Sequence, residues 1–287
     1  MSKKYEGLPF YVQIIPCLND RGEAMDFFRN DIDGGKAFDW GRTSSDYAKY
    51  RDIYPPVFFE KIVERGLGIT GQRILDLGTG TGVVPRSMYK FGAEWIGSDI
   101  SENQIAQAKL LAEKENMNIK FIVSAAEHID FPPGYFDVIT ACQCFFYFDY
   151  GIVIPKLAEL LKKDGKLVIL FMAWLPDEDS IVGESEKLVL KYNPSWTGAG
   201  YTRTPIYVPD IAYEYFDIEE SSGYDIMVPF TRESWNGRMK ACRGIGASLP
   251  DNEQVLWEKE HMELLEKIAP DNFEVLHYAS MVILKKK

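Results

Sequence analysis

Two acids and three glycines are the residues of this chain best placed to do chemistry together. Asp76 closes an apolar run that begins at Arg73, and Gly78, Gly80 and Gly82 follow it at alternate positions. Glycine reaches backbone conformations barred to other residues, and without a side chain it lets a ligand approach the main chain closely. The spacing narrows which nucleotide is meant. A dinucleotide fingerprint needs glycine where Val83 stands, or where Pro85 stands if counting starts at Gly80, and a phosphate loop needs a Gly-Lys-Ser/Thr ending. The second acid, Asp99, closes the next apolar run about 20 residues on, where βαβ cofactor folds place the carboxylate that binds ribose hydroxyls. A carboxylate offers two acceptor oxygens and no donor, which suits a pair of adjacent hydroxyls.

These residues need a sheet edge to hold them. Strand and helix patterns alternate from about residue 55 to 171, the order of a doubly wound parallel sheet. Pro55 and Pro56 open a helix ahead of strand one at Arg73. Strand two runs from Ala93 to Asp99, and Ser101 to Gln104 form a capping box for a helix reaching about Glu115. Strands follow at 119–123 and 136–141, a helix near 152–163 ends at Asp164-Gly165, and strand five covers 166–171. Beyond Phe171 the alternation stops. Helices are expected near 181–192, 231–243 and 253–268, with strand six at 224–230 and strand seven at 277–284. The expected organisation is an N-terminal extension (1–37, a candidate lid), a core (38–173), an aromatic, proline-rich insertion (174–222) forming a lid or substrate subdomain, and a C-terminal part (223–287) completing the sheet.

Composition excludes several classes of function. The net charge of −11 and pI near 4.9 disfavour nucleic acid, because phosphate contacts need clustered Lys and Arg. The four cysteines show neither disulfide nor zinc spacing, so no metal is expected. No leader pattern or bilayer-length apolar run is seen, which gives a cytoplasmic protein without membrane contact as the expectation. Oligomeric state stays open.

With both acids placed, the pattern acid-x-Gly-x-Gly-x-Gly resembles motif I of the class I S-adenosylmethionine (SAM) dependent methyltransferases, closest to the branch holding ubiquinone/menaquinone-type and trans-aconitate-type enzymes. The resemblance covers about residues 38–171. It implies a Rossmann-like α/β fold of seven strands, the last antiparallel and inserted between strands five and six. It further implies SAM as cofactor, held by Gly78, Thr79, Gly80, Asp99, Ile100, Gln104, Ala126, Glu127, Cys142 and Gln143. Tyr47 and Arg51 join them, because 46–55 resembles the Tyr-x-x-Tyr-Arg-Pro-x-Tyr-Pro stretch of many relatives; an arginine there can pair with the cofactor carboxylate and a ring can face its sulfonium. Ordinary packing is the alternative for Tyr50 and Tyr54. Two departures stand out. Ala125 replaces the Asp that meets the adenine amino group, and Phe146 replaces the histidine of the His-Trp-Phe-Asp loop.

The resemblance implies transfer of a methyl group to a small molecule. A base is needed only for a nucleophile that is protonated at working pH, so losing the loop histidine points to an anionic or readily ionised acceptor: a carboxylate, thiol or phenol. Tyr147 and Gln143 are the catalytic-side candidates, as polar orienters. Trp174, Trp235, Arg238 and Arg243 are the substrate-side candidates. Trp174 belongs to the aromatic insertion, and Arg232, Trp235, Arg238, Met239 and Cys242 follow i, i+3, i+4 spacing in a stretch resembling the Trp-x-Gly-Arg segment of some relatives. One helix face then carries an indole and guanidinium groups, a clamp for a small anion for which Arg238 and Arg243 are the charge candidates. A surface helix whose arginines pair with the protein's own acids is the competing reading. His261 and His277 read as structural. Two other functions share the fold: a catalytically silent SAM-binding regulator or partner subunit, and aminopropyl transfer.

Overall fold

The alternation folds into a single sheet in a computed structural model of the protein, which describes residues 32–35, 49–50 and 53–287. In chain order the elements are α1 (Pro56–Val63), β1 (Arg73–Leu77), α2 (Val83–Met88), β2 (Glu94–Asp99), α3 (Glu102–Lys114), β3 (Lys120–Val123), β4 (Phe136–Cys142) and α4 (Tyr150–Leu160). They continue as β5 (Leu161–Trp174), α5 (Ser180–Tyr192), α6 (Ala212–Tyr215), β6 (Phe216–Thr231), α7 (Arg232–Lys240), α8 (Asp251–Ile268) and β7 (Asn272–Lys286). The strand order is β3-β2-β1-β4-β5-β7-β6. The first five strands pair parallel, and β7 pairs antiparallel with both β5 and β6. This is the seven-stranded mixed sheet that the resemblance implies.

Strand alternation sends successive side chains to opposite faces, and both faces of a parallel sheet must be covered. Ile74, Val138 and Val168 pack on one face with Phe58, Ile62 and Trp95, while Leu75, Ile139 and Ile169 pack on the other with Val153 and Leu157 of α4. Full burial of one such aliphatic side chain stabilises the fold by roughly 1.5–3 kcal/mol. Pro155 sits inside α4, whose entry is fixed by the Asp149 side chain accepting from the Gly151 and Ile152 N–H groups.

Three boundaries differ from expectation. β6 begins at Phe216, so the last residues of the expected insertion already belong to the sheet. Alternating exposed polar residues (Asp217, Glu219, Ser221) hide this strand's start from a search for apolar runs. β7 extends outward to Asn272–Lys286, and β5 starts at Leu161, ahead of the Asp164-Gly165 turn that resembled a helix cap. Among the described residues, no helix is long and apolar enough to cross a membrane.

Candidate functional site

The glycine turn lies at the carboxyl edge of β1, and its backbone explains the sequence. Gly78, Gly80 and Gly82 have φ of 56°, 56° and 77°, the left-handed region that costs other residues about 1–2 kcal/mol each. A side chain at Gly78 would also strike Cys144, whose Cβ and Sγ lie 2.7 Å from the place of a Cβ. Asp99, at the end of β2, turns its carboxylate to the turn: Oδ2 accepts from the Gly80 N–H at 2.9 Å and Oδ1 from the Ser101 N–H at 2.9 Å. A carboxylate has about four lone-pair sites. With the Ile100 N–H also donating to this carboxylate, about three of these sites are engaged, which leaves acceptor capacity for a further donor. Desolvation holds the Asp99 pKa above its ordinary value, opposed by these backbone donors. Ile100 beside it exposes 53% of its surface, an apolar face at the rim.

Asp76 has a different task. It is buried, and accepts from the Thr79 hydroxyl (2.6 Å) and the Thr140 hydroxyl (2.6 Å), so it ties the turn to β4 beneath the ligand edge. Burial pushes its pKa to about 7, against the lowering effect of both hydroxyls. Gln104 is buried in the first turn of α3, whose cap is the Ser101 side chain accepting from the Gln104 N–H. Ala126 is buried after β3, and Glu127 accepts the Asp149 N–H at 3.0 Å. One oxygen of Glu127 is therefore committed to the loop after β4 rather than to a nucleobase.

That loop carries Gln143 at φ 65°, a left-handed conformation on a non-glycine residue. Its N–H donates to Leu170 O at 2.9 Å and its side-chain amide donates to Met172 O, which fixes it against β5. Cys142 Sγ donates to the Tyr54 hydroxyl oxygen at 3.6 Å. Rings of Phe146 and Phe171 (6.1 Å) and of Phe171 and Tyr201 (5.1 Å) continue from the loop through β5 into the insertion. Tyr50 rests on α7 at Gly237, where a Cβ would collide with its ring, and its hydroxyl donates to Glu233 at 3.1 Å. Tyr47 and Arg51 lie outside the described residues.

The substrate-side candidates separate. Trp235 is fully buried, its indole N–H donating to Ser185 Oγ at 3.0 Å and its ring against Phe230 and Trp174. It is a core residue, because the face of α7 that carries it points inward. Trp174 is also buried and donates to Glu186 at 2.5 Å, so it walls the interior rather than an open pocket. Arg238 lies over the Trp174 ring at 4.7 Å and is 5% exposed. Arg243 is not a clamp: Nε and one terminal nitrogen grip Asp33 at 2.7 and 3.1 Å, and it also donates to Thr197 and Tyr147. The chain's own acid has taken it. A groove of about 590 Å³ opens elsewhere, between α5 and α8, lined by Lys187, Lys191, Glu260 and Leu256 among others, and has no part in this edge.

Residues 75–169 match a family model described as a methyltransferase domain. The stretch from β1 into β5 is thus similar to a methyltransferase domain. A ubiquinone biosynthesis O-methyltransferase of Bradyrhizobium diazoefficiens is 33% identical over 142 residues, 48% of this chain and 55% of that protein. A demethylmenaquinone methyltransferase of Thermus thermophilus is 34% identical over 113 residues, 38% of this chain and 51% of that one. The chain thus spans about half the length of the curated relatives it matches. In fold it is similar to a Haemonchus contortus phosphoethanolamine N-methyltransferase solved with S-adenosylhomocysteine (TM-score 0.51, 22% identity, 85% of this chain and 57% of that chain).

Sequence reasoning missed several residues of this edge and its surroundings. Thr140 and Cys144 act through partners in other strands and loops, and no local pattern marks them. Asp33 and Thr197 have no periodic signal at all. Gly237, between Trp235 and Arg238, is required by the Tyr50 ring, which comes from a distant segment.

Proposed function

We propose that this protein is a SAM-dependent methyltransferase acting on a small acceptor that is anionic or ionises readily, with a phenol first among the candidates. The observation that carries the reading is the meeting of the Asp99 carboxylate with the left-handed turn at Gly80. The remaining acceptor capacity of Asp99 fits a ribose hydroxyl, the bare backbone at Gly78 and Gly80 fits close approach of the methionine part, and exposed Ile100 offers an apolar face to the adenine. Tyr47 and Arg51 remain candidates for the methionine end on the resemblance alone.

When bound, SAM supplies a methyl group already activated on a sulfonium. The chain then has to orient the acceptor, and alignment alone can supply a large part of the acceleration. Gln143, held by Leu170 and Met172, is rigid enough to orient a polar group at the end of β4. Residues 143–149 contain no histidine, which favours an acceptor that needs no base. Phe146, Phe171 and Tyr201 offer an aromatic wall at the ends of β4 and β5. Arg238 is the candidate for the acceptor's negative charge. The relatives named for ubiquinone biosynthesis are O-methyltransferases, which supports an oxygen nucleophile here.

Incubating the protein with SAM and a panel of phenols, thiols and carboxylates tests the reading. Formation of S-adenosylhomocysteine with 4-hydroxy-3-nitrobenzoate, a small anionic phenol whose hydroxyl ionises near neutral pH, is the expected first positive. Arg238→Ala should raise its KM about tenfold, the loss expected for a charge-assisted hydrogen bond, with affinity for S-adenosylhomocysteine near that of the wild type. Failure of the wild type to bind S-adenosylhomocysteine in calorimetry would end the proposal.

A further inference from the structure

Four segments far apart in sequence meet at one buried ion pair beside the loop after β4. Asp33 is 1% exposed and Arg243 8%. Asp33 Oδ2 accepts from Arg243 Nε at 2.7 Å, and Oδ1 accepts from the Arg243 fork at 3.1 Å and from the Thr197 N–H and hydroxyl at 2.7 and 2.9 Å. The other terminal nitrogen of Arg243 donates to the Tyr147 hydroxyl oxygen at 3.0 Å. The Tyr147 ring packs on Ile32 and Ala247, and lies 4.2 Å from the ring of Phe146. Asp33 itself is held at φ 49°, followed by Gly34 at 65° and Gly35 at 77°. A non-glycine residue keeps such a conformation when surrounding contacts over-determine it.

We infer that Arg243 is a positioning residue for the acceptor half of the site: anchored by Asp33 and Thr197, it holds Tyr147 and with it the loop after β4. The inference rests on the methyltransferase reading for its functional meaning, but its geometry stands alone. The fork of Arg243 is matched to a carboxylate on one edge, so four of its five N–H donors have named partners in a fixed plane. A fixed guanidinium fixes the phenol it meets. Tyr147 shares its loop with Gln143 and Phe146, which pack on β5 at Met172 and Phe171, whereas the turn that receives the cofactor has its own supports at Asp76 and Asp99. Disturbing Arg243 should therefore move acceptor handling and spare cofactor affinity.

The test labels tyrosine with carbon-13 at Cζ and assigns Tyr147 by the resonance lost in Tyr147→Phe. In Arg243→Lys, which keeps the charge and loses the fork, the Tyr147 resonance should shift, the Kd for S-adenosylhomocysteine should stay within twofold of wild type, and the KM for 4-hydroxy-3-nitrobenzoate should rise at least tenfold with a smaller change in kcat. Asp33→Asn, which leaves Arg243 in place and loosens its anchor, should move the same resonance and serves if Arg243→Lys does not fold. An unmoved Tyr147 resonance in the folded variant, or a loss of S-adenosylhomocysteine affinity as large as the rise in KM, overturns the inference. A wild-type protein that binds no S-adenosylhomocysteine would instead sink the methyltransferase reading, and the tyrosine spectrum would still decide whether Arg243 positions Tyr147.

Discussion

The two halves of the ligand edge are built by different means. On the proposed cofactor side, Asp76 reaches Thr79 three residues on and Asp99 reaches Gly80 at a separation of 19, so this half follows from a short βαβ stretch. On the proposed acceptor side, Asp33 pairs with Arg243 at a separation of 210, and Arg243 meets Tyr147 at 96. A local site is fixed once its strands form. The distant one depends on the insertion, the segment before the core and the helices after it docking together, which leaves more room for one fold to carry different acceptors.

The sharpest break of the local half is Gly80→Val. Its φ of 56° is expensive for a β-branched residue, and the added side chain projects where the cofactor backbone contact must form. Affinity for S-adenosylhomocysteine should fall by about two orders of magnitude or more, beyond what about 1–2 kcal/mol of backbone strain explains. Calorimetry on the folded variant checks it, and affinity within tenfold of wild type would show that the turn does not touch the ligand. Asp99→Ala should cost about 1–3 kcal/mol of binding, because a charged acceptor is lost and the Gly80 and Ser101 N–H groups lose their partner. Unchanged affinity there would remove the ribose assignment.

Opposite pH responses distinguish the halves further. Asp76 titrates near 7 in the fold, above the unfolded 3.8, so the folded state binds the extra proton between these values and stability falls as pH rises from about 4 to 7. His261 and His277, among the helices and strand behind the acceptor side, are held down to about 3 and about 4 by burial, so the unfolded state binds the extra proton and stability is lost as pH falls below about 6.5. At pH 5 each histidine should cost roughly 2 kcal/mol. His261 is wired to Asn236 (2.8 Å) and Ser185 (2.9 Å), and His277 to Val275 O (3.0 Å). Denaturant unfolding of Asp76→Asn should remove the decline between pH 4 and 7. An unaltered slope would mean that Asp76 is ionised in the fold throughout that range.

Legibility in the sequence follows the same division. The glycines, Asp99 and Ser101 announced themselves because turn conformation and helix capping depend on neighbours in the chain. The strand order came from the family resemblance, since periodicity cannot say where β7 inserts. Trp235 and Arg238 share a helix face as expected from their spacing, but spacing does not say whether that face meets ligand or core; packing on Trp174 and Ser185 decides it. Arg243 was visible as a cation, and its partner Asp33 lay among residues with no pattern. Side chains whose role is to join distant segments leave no periodic trace.

The smallest expected effects sharpen the comparison through two helix caps. Ser101 caps α3 on the cofactor side by accepting from the Gln104 N–H alone. Asp179 caps α5 on the acceptor side, accepting from the Ile181 and Val182 N–H groups at 3.0 and 3.2 Å, and its second oxygen accepts the Leu276 N–H of β7 at 3.2 Å. Losing a cap costs about 1 kcal/mol, and stranding a further part-buried backbone donor adds about 1 kcal/mol. Asp179→Ala should therefore lower unfolding free energy in urea by about twice as much as Ser101→Ala. The extra loss should vanish if the β7 contact is worth nothing, because each side would then be supported by its own helix alone. Equal losses would thus show that the insertion is held without help from β7, and the contrast between a local and a long-range half would have to rest on the Asp33–Arg243 pair by itself.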